Sequence, residues 1–166
     1  MLDLRAIEPL VLPLGERLRT RRWRLATAES CTGGLIAAAC TAVAGSSDWF
    51  ERGVVSYSNA AKVELLGVDP ALIETCGAVS EDVARAMATG VLARSPADLA
   101  LAVTGIAGPG GATQGKPVGL VWLAWAQRGG GVGARRLQLA GDRGAVRSQT
   151  VREALRQALA LASSAP

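Results

Sequence analysis

The chain has 166 residues, of which 49% are hydrophobic and twenty are glycine, and it carries a formal net charge of +4. That length supports one domain with a substantial core, and the composition is that of a compact α/β protein, which excludes a disordered chain. No apolar run approaches the ~18–20 residues of a membrane helix, and MLDLRAIEP lacks the basic-then-apolar pattern of an export signal.

In chain order, residues 10–22 read as a helix whose start is blurred by Pro9 and Pro13. WRLATAE is a short strand ending at Glu29, and LIAAACTAVAG is a helix of small apolar residues closed by Gly45. RGVVSYS (52–58) is a second strand, after which Asn59 caps a short helix ending at Gly67 and Asp69-Pro70 starts another helical turn. Ser80, Glu81 and Asp82 open an amphipathic helix with Val83, Ala84, Met87, Ala88, Val91 and Leu92 on its apolar face. ADLALAVTG is a buried strand. A Gly-rich loop over 105–119 follows, then a hairpin of GLVWLAWA and ARRLQLA, and a last helix over 143–162 capped by Asp142. The expected fold is a three-layer α/β/α sandwich on a mixed, mostly parallel sheet of about five strands. With no internal repeat and no linker, one domain over 1–166 is expected.

Two absences restrict the chemistry. There is no histidine, which excludes Ser-His-Asp, Cys-His and HExxH mechanisms. Only two of the eighteen basic residues are lysines, Lys62 and Lys116. In a chain that uses Arg for general positive charge, a retained Lys marks a place where Arg does not substitute, because Lys loses its proton when buried and Arg does not. The three cysteines have no zinc-site spacing, so no metal and no cofactor is expected; their odd number fits a reducing, cytoplasmic setting. The cluster Arg17, Arg19, Arg21, Arg22 and Arg24 reads as a solvated helix end. With 4% aromatics and no nucleic-acid motif, a nucleic-acid partner is not expected.

Several motifs are near misses. Gly110 to Lys116 fits G-x-x-x-x-G-K, but Pro117 stands where a P-loop needs Ser or Thr, and a strand follows instead of a helix. Lys116 remains a candidate phosphate contact as a point charge. Ser58 to Lys62 is one residue longer than S-x-x-K, and Tyr57 to Lys62 one longer than Tyr-x-x-x-Lys. The informative stretch is TAESCTGG. Glu29 and Ser30 stand at the carboxyl end of a strand, where open α/β sheets bind ligands. Gly33 and Gly34 open the next helix, and free N–H groups there favour an anion or oxyanion. Without histidine, a hydroxyl nucleophile takes Lys or a carboxylate as its base. Lys62, after the neighbouring strand, gives Ser30 such a partner if its pKa is lowered. Cys31 is the rival nucleophile; strand alternation points it away from Ser30, as a small buried hydrophobe.

AESCTGG, GSSDWFERGVVSYSNAAK, LLGV, GAVSEDVA, AVTGIAGPGG, KPVG and GDR, in this order from Ala28 to Arg143, resemble the CinA C-terminal family. Stand-alone members are nicotinamide-nucleotide amidohydrolases. The resemblance implies an α/β/α fold and hydrolysis of nicotinamide mononucleotide to nicotinate mononucleotide and ammonia. It implies a serine–lysine pair, here Ser30 and Lys62, with Tyr57 and Thr104 lining the same site. Thr32, Gly33, Gly34, Gly105, Gly108, Lys116 and Arg143 are the candidate substrate-binding residues. Family members commonly associate, so a homo-oligomer is expected. Ala60 and Leu120 depart from the family pattern, away from the proposed pair. The competing expectation is an accessory module that holds a nucleotide without turning it over, in a competence or DNA-damage setting.

Overall fold

The computed structural model describes residues 5–164. Eleven elements follow in order: α1 (Glu8–Arg21), β1 (Leu25–Glu29), α2 (Leu35–Thr41), β2 (Phe50–Val55), α3 (Asn59–Leu66), α4 (Pro70–Cys76), α5 (Glu81–Ala93), β3 (Leu99–Gly105), β4 (Leu120–Gln127), β5 (Val132–Gln138) and α6 (Arg143–Ser163). The strands form one sheet in the order β2-β1-β3-β4-β5. β2, β1 and β3 pair in parallel, and β4 runs against both β3 and β5, so four of the five strands point the same way.

Period-2 alternation sorts the side chains into two cores. Leu25, Leu99, Leu101, Val103, Val121 and Leu123 face one side, where they meet α1, α2 and α6. The opposite face is nearly all alanine: Ala26, Ala28, Ala100, Ala102, Ala124 and Ala126. Small residues let α5 lie close on that floor with Val83, Ala84, Met87, Ala88 and Val91. α3 and α4 then pack on α5 so closely that a Cβ at Gly90 would collide with the Leu66 carbonyl oxygen.

Local differences from the sequence expectation have plain causes. α1 starts earlier, at Glu8; Pro9 sits in its first turn, where no N–H is needed, and Pro13 is accommodated inside. α3 is capped by Ser58, whose Oγ accepts from Ala61 N at 3.0 Å, so Asn59 is the first helical residue. β2 runs Phe50–Val55, because after Ser56 donates to the Glu29 carbonyl the chain turns out of the sheet. The last two caps are as expected: Ser80 accepts from Val83 N and Asp142 from Ala145 N.

Candidate active site

The carboxyl ends of the three parallel strands lie level. Glu29 is in register with Val55 of β2 and Val103 of β3. The next residue on each strand continues this row: Ser30 N donates to Val103 O and Ser56 N to Glu29 O. Ser30, Ser56–Tyr57 and Thr104–Gly105 thus meet at one edge, the place where α/β sheets leave a crevice.

Lys62 enters this crevice from the first turn of α3. It is 1% exposed, and its Nζ lies 3.2 Å from Ser30 Oγ. The same nitrogen donates to the carbonyls of Ser56 at 3.0 Å and Tyr57 at 3.3 Å. No carboxylate pairs with it among the described residues. Burial therefore pushes the ammonium below the ordinary lysine range, opposed by the adjacent Cys31. Cys31 itself lines the crevice, but burial pushes its thiol up to about 12, so the reactive thiolate is disfavoured.

A cavity of about 220 Å³ opens over this pair. Ser30, Lys62, Tyr57, Thr104, Gly105 and Arg143 all line it, together with Asn59, Ala78, Val79 and Ala107. Thr104 Oγ1 donates to Ala78 O at 2.8 Å, tying the end of β3 to the α4–α5 connection. Tyr57 is 60% exposed at the mouth, and its hydroxyl accepts from Arg143 at 3.1 Å. Arg143, the first residue of α6, also donates to Gly108 O at 2.9 Å. The backbone of Gly108 reaches the site through that contact.

Two expectations change. Free N–H groups at the start of α2 do not face a ligand: Gly34 N, Ile36 N and Ala37 N all donate to the Glu29 carboxylate, at 3.1, 3.0 and 2.8 Å. Thr32 is fully buried with its hydroxyl on the same carboxylate at 2.6 Å, and Gly33 N closes a turn on Ser30 O. Lys116 is not brought to the cavity either. Its Nζ donates to Cys76 O at 2.7 Å, and there it compensates the last carbonyls of α4 and pins the Gly-rich loop. Sequence reasoning placed Glu29 at the strand end but missed its partners, and it missed Arg147, which donates to Thr32 O at 2.8 Å. The i, i+4 spacing of Arg143 and Arg147 on one helix was the available signal. No group of three or more metal-ligating side chains occurs among the described residues.

The CinA C-terminal domain model covers residues 7–162. The chain belongs to the CinA C-terminal domain family. Within the family it is 51% identical to the nicotinamide-nucleotide amidohydrolase PncC of Enterobacter agglomerans, over 92% of this chain and 93% of that protein. It is 50% identical to the protein of the same name from Escherichia coli, over 86% of each. A CinA-like protein of Mycobacterium marinum is 57% identical over 132 residues, but the match spans only 31% of that longer protein. Among solved CinA-type structures, the competence/damage inducible protein CihA of Agrobacterium tumefaciens superposes with a TM-score of 0.91. It shares 47% identity over 93% of this chain and 94% of that one.

Proposed function

We propose that this protein is an amidohydrolase that converts nicotinamide mononucleotide to nicotinate mononucleotide and ammonia, with Ser30 as nucleophile and Lys62 as base. The observation that carries it is the buried Lys62 Nζ, without an anionic partner among the described residues, 3.2 Å from Ser30 Oγ. A neutral amine has two N–H bonds, and the carbonyls of Ser56 and Tyr57 account for both. The lone pair is then left for the Ser30 hydroxyl proton. The names of the relatives above supply the substrate; the cavity alone does not.

In this reading Ser30 Oγ attacks the carboxamide carbon and its proton passes to Lys62 Nζ. The N–H group of Cys31, a residue that lines the cavity, bonds to no other residue among the described ones and receives the oxyanion. Collapse breaks the C–N bond as Lys62 returns the proton to the leaving nitrogen, giving ammonia and a Ser30 ester. Water then attacks the ester, again losing its proton to Lys62, and the carboxylate product leaves with the Ser30 hydroxyl restored. Tyr57 and Thr104 shape the mouth and wall, and Arg143 meets the substrate phosphate. Such an activity belongs to pyridine nucleotide salvage in the cytoplasm, and a homo-oligomer completes the reading. Ammonia release from a panel of pyridine amides tests it: turnover is expected with the mononucleotide, and binding without turnover would leave the accessory-module reading in its place.

A further inference from the structure

We infer that Glu29 is a positioning residue for the amide hydrolysis proposed above, holding the turn from Ser30 to Gly34 in the shape that presents the Cys31 N–H to the oxyanion. The inference rests on that reading of the site.

Glu29 is fully buried, yet no cation pairs with its carboxylate among the described residues. Five donors surround it instead. Oε2 accepts from Thr32 Oγ1, Gly34 N and Ile36 N, and Oε1 from Ala37 N and, at 3.3 Å, Thr27 Oγ1. Closing a strand–helix connection does not demand this. A Ser or Asp cap at the start of the helix satisfies such donors without burying a charge beneath the sheet edge. A carboxylate reaching from the strand end does something a cap does not: it ties the strand that carries Ser30 to the helix that follows it, across the intervening turn. The turn needs such a tie, because Gly33 and Gly34 take left-handed conformations at φ +61° and +94° and resist it little themselves.

Thr32 shows the result most clearly. Its hydroxyl is held by Glu29 at 2.6 Å, and its carbonyl is held by Arg147 of α6 at 2.8 Å. Thr32 itself is fully buried and does not line the cavity, but Cys31 before it does, and the Cys31 N–H bonds to no other residue among the described ones. With its hydroxyl and its carbonyl both held, Thr32 fixes the peptide of Cys31 that precedes it at the wall of the cavity. Preorganised donors of this kind act on the transition state and little on the ground state.

Glu29→Gln tests this at constant size. Whichever way the amide turns, its NH2 faces a backbone N–H, either that of Ala37 or those of Gly34 and Ile36. The expected result is a kcat about 10²–10³-fold lower, the usual cost of a lost oxyanion donor, with KM for nicotinamide mononucleotide little changed. In parallel, affinity for a pyridine-3-boronate, which adds to the serine as a tetrahedral adduct, falls with kcat, while affinity for nicotinate mononucleotide is retained. A kcat near wild type, or both affinities falling together, overturns the inference. If Glu29→Gln does not fold, Thr32→Val against Thr32→Ser carries the same readouts: the valine lowers kcat and boronate affinity, and the serine, which keeps the hydroxyl, recovers most of both. Wild-type enzyme that releases no ammonia from the mononucleotide defeats the substrate reading instead, and the boronate comparison still reads Glu29.

Discussion

Lys62 Nζ lies 3.2 Å from Ser30 Oγ although the two residues belong to different strand–helix units. The parallel pairing of β1 with β2 brings them together, since each side chain stands just beyond the end of its strand. The first prediction follows from the chemistry of that contact. Ser30→Ala removes the proposed nucleophile, and Lys62→Arg keeps the charge but removes the proposed titratable base. Both should lower ammonia release by about 10³-fold or more, since general-base catalysis alone is worth about 10²–10⁴. Circular dichroism should show an intact fold for Ser30→Ala. A purified Lys62→Arg protein with near-normal turnover would remove Lys62 from the mechanism.

The lowered pKa of Lys62 gives a second prediction, in activity and in stability. With the neutral amine as the proposed base, kcat/KM rises with pH through the folded-state pKa of Lys62, which lies below the ordinary lysine value owing to burial. The stability effect has the same sign. Between that lowered value and the unfolded value of about 10.4, the unfolded chain binds more protons, so stability rises with pH. Below the folded value the penalty is constant. Relative to Lys62→Met, the wild-type protein should therefore gain stability across this window, with a slope approaching about 1.4 kcal/mol per pH unit. Urea denaturation of both proteins at a series of pH values reads the difference directly. A difference that does not vary with pH would mean that Lys62 is not buried in the way the structure has it.

Much of this site was legible in the sequence because its chemistry was scarce. With no histidine and two lysines, a base for Ser30 had few places to come from. The alternating strands and the caps at Ser80 and Asp142 were readable for a local reason, since each cap and the N–H it accepts lie three residues apart. What the sequence did not disclose depends on which way a side chain turns. A carboxylate at a strand end can face a ligand or its own helix, and AESCTGG reads the same in both cases; only the partners of Glu29 decide. Lys116 is similar, a cation in a Gly-rich loop whose actual neighbour, Cys76 O, is forty residues away in the chain. Neighbouring cap residues also blurred one boundary, since Ser58 and Asn59 are both suited to start α3 and the structure uses Ser58.

Gly90 supports a third prediction against helix propensity. Ala in place of Gly inside a 13-residue helix ordinarily stabilises by ~1 kcal/mol. Here the new Cβ would collide with the Leu66 carbonyl oxygen, a backbone atom that cannot swing aside. Overpacking of this kind costs about 1–3 kcal/mol or more, so Gly90→Ala should lower Tm by several degrees. Leu66 lies one helical turn beyond Lys62 on α3, so the displaced helix also carries Lys62 away from Ser30, and on the proposed mechanism kcat falls with Tm. A Tm equal to or above wild type would show that α3 moves freely on α5.

Arg143 gives the fourth prediction, which separates binding from chemistry. It is the first residue of α6, at the edge of the cavity, and its guanidinium bridges Gly108 O at 2.9 Å and the Tyr57 hydroxyl at 3.1 Å. Neither partner is a carboxylate and no ion pair holds Arg143 among the described residues, and a guanidinium pairs readily with a phosphate. Lys62 is held neutral in the proposed mechanism, and Lys116 is engaged on Cys76 O, which leaves Arg143 as the cation at the mouth. Arg143→Met should therefore raise KM for the mononucleotide by about 10–100-fold, in line with the roughly 1.5–3 kcal/mol of a hydrogen bond to a charged group. It should leave the much poorer turnover of an amide without a phosphate close to that of the wild type. Arg143→Lys restores charge but not the two-pronged geometry, so it should recover only part of the loss. Steady-state kinetics with nicotinamide mononucleotide and its riboside make the comparison. Equal losses on both substrates would assign Arg143 to holding Tyr57 and Gly108 in place, with the phosphate bound elsewhere.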